Sequence, residues 1–283
     1  MTLDHKKNKH RITSLVKALV TIPIALYSLL TLYLLLIVFV SGFKTSSDFM
    51  SNPIGLPKKW VLTTFIEAWQ LSKFSIYFKN SIIITSFSLV MILIIACMAA
   101  YGIARYKYKF SKIAYIYFMM GLMFPVQLYV LPLFLTLRNF GLLSSYLGMI
   151  VIYTATAQSF SVFLLVGFFR TLPKEIEEAA KIDGASDFRI FLQIMMPLSK
   201  PIIATVLILN LVGIWNDFLF PLVFILKSEL RTVPLGLIAF FGQYNTKYSL
   251  LFAALAITII PVAVAYMFSS KAFIKGLASG AIK

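Results

Sequence analysis

The sequence predicts an all-α protein that crosses a membrane six times. Hydrophobic residues make up 60% of its 283 positions and charged residues only 13%, whereas soluble domains carry about 25% charged residues. The apolar residues are gathered into long runs that are separated by polar segments. Lysine and arginine are concentrated in alternate segments, as in polytopic membrane proteins.

Six apolar runs are each close to the ~20 residues that span a bilayer. They lie at residues 19–40, 78–104, 113–137, 146–169, 201–226 and 249–270. The first run is longer than the ~7–15 residues of a signal-peptide core, and no A-x-A cleavage site follows it. We therefore interpret it as an uncleaved span that follows a basic leader, residues 1–18. In the third run, Pro125 and Pro132 are expected to kink the helix.

The distribution of basic residues predicts the orientation of these spans. Six spans place residues 1–18, 105–112, 170–200 and 271–283 on one side, and these segments hold 17 of the 26 Lys and Arg residues. Cytoplasmic segments of membrane proteins are the ones rich in Lys and Arg. Both termini and the 170–200 segment are therefore predicted to be cytoplasmic.

Several other functions are not expected from this sequence. The net charge of +16 would suggest a nucleic-acid partner if it formed a basic face on a soluble fold, but here the charges lie between apolar runs. The single cysteine, Cys97, cannot form an internal disulfide. No P-loop or G-x-G-x-x-G pattern is present. We predict no enzymatic activity, no catalytic or metal-binding residue, and no cofactor bound by this chain.

The most polar stretch, residues 173–197, contains half of the ten acidic residues. Pro173 suits the first position of a helix, and the glutamates that follow it favour the positive end of the helix dipole. Glu177 and Lys181 have the i,i+4 spacing of an ion pair. The sequence therefore predicts a short helix at the beginning of this stretch.

A second short helix is predicted after a fixed turn. Gly184 ends the first helix because glycine adopts the left-handed conformation without steric cost. Ser186 or Asp187 can cap the next helix, which is expected to end before Pro197 because the residue preceding a proline avoids the helical conformation. The product is a helix–turn–helix loop between the fourth and fifth spans.

This stretch resembles the EAA motif of ABC importer permeases. The matching positions are Glu178-Ala179-Ala180, Asp183-Gly184-Ala185 and Pro197. The extended pattern, EAAxIDGAS followed by PLSKP at 197–201, is similar to the MalG-like permease of bacterial carbohydrate importers. In that family, the loop docks into a cleft of a separate ATPase subunit.

The resemblance implies the type I ABC importer permease fold. The family's transmembrane domain would cover residues 77–270 and include the coupling loop at 170–200. Residues 1–76 would hold the leader, the first span and an outer loop, and residues 271–283 a cytoplasmic tail.

The resemblance also implies a function and partners. The chain would be a multi-pass permease subunit that moves an oligosaccharide or amino sugar across the bacterial cell membrane by alternating access. The implied partners are a second, MalF-like permease, an ATP-binding-cassette ATPase dimer that holds ATP and Mg²⁺ at the cytoplasmic face, an extracellular or lipid-anchored sugar-binding protein, and membrane lipid. Gly242, Gln243, Tyr244 and Asn245 resemble the loop that reaches into the binding protein's sugar cleft, although an ordinary turn fits them equally.

Polar residues inside the spans are candidates for a translocation path, because a charge at mid-bilayer costs ~2.5–3.5 kcal/mol and a retained one needs a role. The candidates are Gln127, Thr154, Gln158, Ser161, Asn210, Asn216 and Asp217. Thr154, Gln158 and Ser161 share one helix face. The alternative is that these side chains bond between packed helices, and for Asn216 and Asp217 we favour a structural role.

The main alternative function is an ion-coupled secondary transporter of a small polar solute. Such a protein uses ionisable residues near the bilayer midplane at the interface of internal repeats. Asp217 is the only acidic residue inside the predicted spans, and the sequence has no internal repeat. The importer is therefore the better interpretation.

Overall fold

The computed structural model describes residues 2–70, 73–106, 109–241 and 247–281, and all of its regular elements in these ranges are helical. The all-α prediction is confirmed. The α-helices are α1 Thr2–Ser41, α2 Ser46–Ser51, α3 Thr63–Gln70, α4 Phe74–Arg105, α5 Lys109–Gly121, α6 Val130–Asn139, α7 Tyr146–Phe169, α8 Glu175–Ile182, α9 Asp187–Ile190, α10 Met196–Leu198, α11 Lys200–Trp215, α12 Leu219–Phe224, α13 Val233–Gly236 and α14 Tyr248–Ala281.

Within the described ranges, four helical segments are long and apolar enough to cross a membrane. They are Leu19–Ser41 of α1, all of α4, all of α7 and Tyr248–Ser270 of α14. A fifth span results if the segments Asp187–Leu198 and Lys200–Trp215, which meet at 75°, are counted together. The prediction of several spans is confirmed, and the third and fifth predicted spans have different bounds.

The third predicted span is divided into two helices rather than kinked. Helix α5 ends at Gly121, and Pro125 is extended, with ψ of 140°. The helix is interrupted ahead of Pro125 because a proline disfavours the helical conformation in the residue that precedes it. Pro132 lies in the first turn of α6, where a missing N–H leaves no intrahelical bond unmade. The kinks predicted at these two prolines were therefore wrong.

The fifth predicted span is also interrupted, at Asp217. Helix α11 ends at Trp215 and α12 begins at Leu219. The Asp217 carboxylate accepts hydrogen bonds from the backbone N–H groups of Leu219 and Phe220, at 3.1 and 3.2 Å. These N–H groups have no partner inside a new helix, so a carboxylate that accepts from them stabilises its beginning. Asp217 thus lies at a helix junction and not inside a continuous span.

The chain forms two compact units. The first comprises residues 1–69 and 240–257, and the second residues 70–239 and 258–283. In the first unit, the buried Lys44 ammonium donates to the carbonyls of Asn52 and Pro53, at 2.7 and 3.1 Å, which fixes the turn after α2. The predicted division into residues 1–76, 77–270 and 271–283 describes the function of each part and not its packing, and it stays a prediction.

In the second unit, α4 and α7 pack side by side and run in the same direction. The Tyr146 hydroxyl, at the beginning of α7, donates to Asn80 Oδ1 near the beginning of α4, at 2.6 Å. The rings of Phe169 and Tyr101, near the ends of the two helices, have centroids 6.2 Å apart. A common direction is what the second and fourth spans of a six-span chain require.

The beginning of α4 holds the segment 228–236 through a set of contacts that we call the Asn80 junction. Asn80 is buried, and its Nδ2 donates to the carbonyls of Glu229 and Arg231, at 2.8 and 3.0 Å. The backbone N–H of Val233 donates to Ser81 Oγ at 2.9 Å. Together with Tyr146, these residues join α4, α7 and the segment 228–236.

We expect Asn80→Ala to lower the stability of the protein, because it leaves two backbone carbonyls and the Tyr146 hydroxyl without their partner. At about 1 kcal/mol for each lost hydrogen bond, the loss is about 2–3 kcal/mol. Thermal unfolding of the purified protein in detergent would measure it. Asn139→Ala, at an exposed position, is the control, and an equal midpoint for both variants would contradict the assigned role.

Candidate functional site

The loop between α7 and α11 has the predicted helix–turn–helix form. Gly184 follows α8 with φ of +81°, the left-handed conformation that the sequence predicts. Its N–H donates to the Lys181 carbonyl at 3.0 Å, and the N–H of Ala185 donates to the Ala180 carbonyl at 2.9 Å. These two bonds form a Schellman motif, which closes the end of a helix.

The turn at Gly184 has room for a side chain, so its constraint is conformational. A Cβ added at this position meets no other atom of the chain within 4 Å. The left-handed conformation costs an ordinary residue ~1–2 kcal/mol. Glycine is thus favoured here by the left-handed backbone conformation and not by crowding inside this subunit.

The second helix of the loop continues through Pro197, where an end was predicted. Ser186 caps α9 by accepting from the backbone N–H of Arg189 at 3.3 Å. After α9 the chain forms a π-helical turn, Phe191–Met195, and then α10. In a regular α-helix the ring of Pro197 would clash with the carbonyl four residues earlier. The wider π turn removes this conflict, so the prediction of a helix end was wrong.

Two smaller expectations also differ from the structure. Pro173 precedes Lys174, which is the N-terminal flanking residue of α8, and so lies just outside the helix. Glu177 does not pair with Lys181. The Lys181 ammonium instead lies 2.9 Å from Asp187 Oδ1, in an exposed ion pair that bridges the turn.

Glu177 pairs with Arg105 at the end of α4. Its Oε1 lies 2.5 Å from Arg105 Nε, and the two side chains are only 12% and 5% exposed. The Nε–H does not point along this contact, so it is an ion pair rather than an aligned hydrogen bond. Both terminal nitrogens of Arg105 donate to the Leu172 carbonyl at 3.1 Å. The Tyr101 hydroxyl donates to Glu177 Oε2 at 3.3 Å.

The second helix of the loop is bound to the same end of α4. Asp187, the first residue of α9, accepts hydrogen bonds from Lys181 and from the hydroxyl of Tyr106, which follows α4. These donors lower the pKa of Asp187, because a hydrogen bond to the carboxylate favours its charged form. We call this set of contacts the Arg105 junction; its members are Tyr101, Arg105, Tyr106, Leu172, Glu177 and Asp187.

The predicted ATPase-coupling residues divide between two faces of the loop. Ala180 and Ala185 are half-buried and pack against an apolar cluster of the helix bundle. The exposed members are Glu178, Ala179, Asp183, Gly184 and Pro197. Ile182 and Phe188, which are not among the predicted coupling residues, are 87% and 65% exposed. The loop therefore presents two large apolar side chains beside acidic ones.

Several polar residues of the spans are buried in a layer between two apolar clusters. Along α7, Tyr153 belongs to one cluster and Val162 to the other, and Thr154, Gln158 and Ser161 lie between them. Ser161 Oγ accepts from Asn210 Nδ2 of α11 at 3.0 Å, and Gln158 Nε2 donates to the Thr154 carbonyl at 3.1 Å. The first of these hydrogen bonds joins α7 to α11, and the second lies within α7.

Two of the candidate translocation residues, Asn210 and Asp217, line a common cavity of about 250 Å³. Tyr153 and Thr156 also line it, and the Tyr153 hydroxyl donates to Asp217 Oδ2 at 2.8 Å. The sequence analysis missed these two α7 residues, although they are three positions apart and so share a helix face. The cavity combines hydroxyl, amide and carboxylate groups with an aromatic ring.

The remaining candidates lie elsewhere. Gln127 and Asn216 are exposed and do not line the cavity, and Asn216 Nδ2 donates to the Val212 carbonyl of its own helix at 2.9 Å. The predicted binding-protein contact, Gly242, Gln243, Tyr244 and Asn245, lies outside the described residues.

Residues 92–279 match the family model described as binding-protein-dependent transport system inner membrane component. Among known proteins, the chain is 37% identical over 243 residues to the diacetylchitobiose uptake system permease protein NgcG of Streptomyces coelicolor. This alignment covers 85% of the chain and 80% of the relative.

Two solved structures have similar folds. One is a bacterial ABC transporter involved in the import of the acidic polysaccharide alginate, with a TM-score of 0.81, 22% identity and coverage of 93% of this chain and 97% of that one. The other is a bacterial alginate ABC transporter in complex with an alginate pentasaccharide-bound periplasmic protein, with a TM-score of 0.56, 18% identity and coverage of 74% and 81%.

The contacts of Asp217 predict different effects of two substitutions. Asp217→Asn should change stability by only a few tenths of a kcal/mol, because asparagine begins helices as well as aspartate does. Asp217→Leu should cost about 2–4 kcal/mol, since it removes the acceptor for α12 and leaves the buried Tyr153 hydroxyl without a partner. Thermal unfolding and the yield of folded protein would compare the two. Equal losses in both variants would show that the charge itself is required.

Proposed function

The chain belongs to the family of binding-protein-dependent transport system inner membrane components, and from this membership we propose its orientation, its partners and the path of its substrate. It is a permease subunit of an ABC importer of sugars and a multi-pass protein of the cell membrane. Members of this family are transport permeases, which decides against the ion-coupled secondary transporter.

We propose that the loop 170–200 receives the ATPase. The observation that carries this proposal is the capped turn at Gly184, which sets the direction of α9 relative to α8 and leaves Ile182 and Phe188 exposed. An exposed apolar patch rimmed by polar residues marks an interaction site, and these two side chains lie in the most polar stretch of the chain. The predicted coupling residues at this contact would be Glu178, Ala179, Asp183 and Pro197. Ala180 and Ala185 would support the loop by packing against the helix bundle. The ATPase, and not this chain, would bind ATP and Mg²⁺.

The orientation proposed for this loop is cytoplasmic, together with both termini. It is supported by the excess of Lys and Arg in the four segments on that side. The Asn80 junction, at the opposite end of α4, would then lie at the outer face, where a sugar-binding protein delivers the substrate. Gly242, Gln243, Tyr244 and Asn245 are proposed to contact that protein.

The substrate is proposed to be an oligosaccharide or an amino sugar that passes between this chain and a second, MalF-like permease. The relative NgcG is named for uptake of diacetylchitobiose. In this chain, the cavity beside Tyr153, Asn210 and Asp217 offers hydrogen-bonding groups that suit sugar hydroxyls. ATP-driven closure of the ATPase dimer would draw the coupling loops together and open the path outward, and hydrolysis would return it inward.

The orientation can be tested with reporter fusions. A reporter placed after Lys283 or within 105–112 should report cytoplasm, because these segments lie on the Lys- and Arg-rich side. One placed near Gly55 or Gln243 should report the exterior. An exterior signal from the C-terminal fusion would contradict both the six-span topology and the position of the ATPase.

Gly184 provides a test of the docking loop. Gly184→Asp should leave membrane insertion intact, because the spans lie far from it in the chain, but it should prevent retention of the ATPase and abolish sugar uptake. The side chain adds a negative charge to the contact, at a backbone position with φ of +81° that most side chains disfavour. Co-purification of the ATPase and ATP hydrolysis in reconstituted membranes are the measurements.

Gly184→Asn is the matched variant, since asparagine and aspartate are both among the residues that accept the left-handed conformation and only aspartate adds a charge. It should retain more ATPase than Gly184→Asp. Wild-type retention and uptake in both variants would show that residues 173–197 are not the coupling element.

A further inference from the structure

Helix α4 is bound at each end to a different polar segment of the second unit. At one end, the Arg105 junction holds both short helices of the loop 170–200: α8 through Glu177 and α9 through Asp187. At the other end, the Asn80 junction holds the segment 228–236 through its backbone. The two junctions engage different segments, and α4 is common to both.

The Arg105 junction is built to move as one body. The ion pair of Arg105 and Glu177 is almost completely shielded from solvent, and a buried charge that loses its partner is strongly destabilising. Arg105 also clamps the Leu172 carbonyl with two N–H groups. If α8 is displaced, the end of α4 is therefore expected to move with it.

Helix α4 is suited to carry such a displacement along its length. Its 32 residues contain no proline, and at ~1.5 Å per residue they extend over about 48 Å. Proline is one of the usual causes of a sharp kink in a helix, so its absence favours a continuous α4. Movement at Arg105 is therefore expected to reach Asn80 with little loss.

We propose that α4 transmits the movement of the loop 170–200 to the segment 228–236, and that Arg105 is the positioning residue that joins the loop to α4. The inference rests on the proposed function, because the driving movement comes from an ATPase bound to that loop. Arg105 lies outside the EAA motif of residues 173–197. The proposal gives this residue a role in coupling in addition to its role in packing.

Hydrogen exchange of the assembled complex in lipid nanodiscs can test the transmission. The complex would contain this chain, its partner permease and the ATPase, with and without a non-hydrolysable ATP analogue. In the wild type, the analogue should change the exchange of amides in 175–190 and in 228–236 by about fivefold or more, within the usual range of coupling between sites. Val233, whose N–H donates to Ser81, is the most informative amide.

Three variants separate transmission from stability. Arg105→Gln and Glu177→Gln should each lower the thermal midpoint, because each leaves one buried charge unpaired. The double variant should recover much of the midpoint, because no unpaired charge remains. In all three, the analogue should still change exchange in 175–190, and the response in 228–236 should be lost. Arg138→Gln makes the same chemical change at an exposed position and should respond as the wild type does.

Two results would overturn the proposal. The first is that the analogue changes hydrogen exchange in 228–236 of Arg105→Gln as much as in the wild type. The second is that the double variant recovers this change in exchange together with its stability, which would show that the ion pair serves packing alone. Failure of the proposed function would give a different result. The wild-type chain would then retain no ATPase, or the analogue would not change hydrogen exchange in 175–190, because the docking contact itself would be missing.

Discussion

The ion pair between Arg105 and Glu177 joins a polar loop to an apolar helix bundle. Both charges are largely shielded from water, which is costly for an ion and makes each additional polar partner important. The Leu172 carbonyl and the Tyr101 hydroxyl supply the additional partners. Because this contact sets the position of α8, it also sets the direction in which the turn at Gly184 and the exposed Ile182 and Phe188 point.

Composition and local turn chemistry predict most of this architecture. The apolar runs identify the long helices, since about 20 apolar residues have few alternatives to crossing a bilayer. The left-handed turn follows from Gly184, and a cap of the next helix from Ser186 or Asp187, because each depends on neighbouring residues alone. The turn and the cap are each determined within one or two helical turns of the chain.

The errors arise where local sequence does not determine the outcome. Asp217 lies in an apolar run, and only the structure shows that its carboxylate begins α12. The spacing of Glu177 and Lys181 fits an ion pair, but Arg105, far away in the chain, competes successfully for the carboxylate. The i,i+4,i+7 pattern of Thr154, Gln158 and Ser161 gives a common face and does not say what that face contacts. Two apolar clusters and Asn210 supply that information.

The π-helical turn Phe191–Met195 has a consequence for how this loop can change in evolution. Such a turn holds one residue more than the α-helix it interrupts. A deletion inside the turn would therefore leave a regular α-helix in nearly the same phase, and the ring of Pro197 would then meet the carbonyl four residues earlier. A residue inserted or deleted elsewhere between α9 and α11 would instead rotate α8 and α9 by about 100° relative to α11, since an α-helix advances by that angle at each residue. Ile182 and Phe188 would then point to a different side, so changes of length should be rarer here than in the segment between α6 and α7, where no helical phase must be kept.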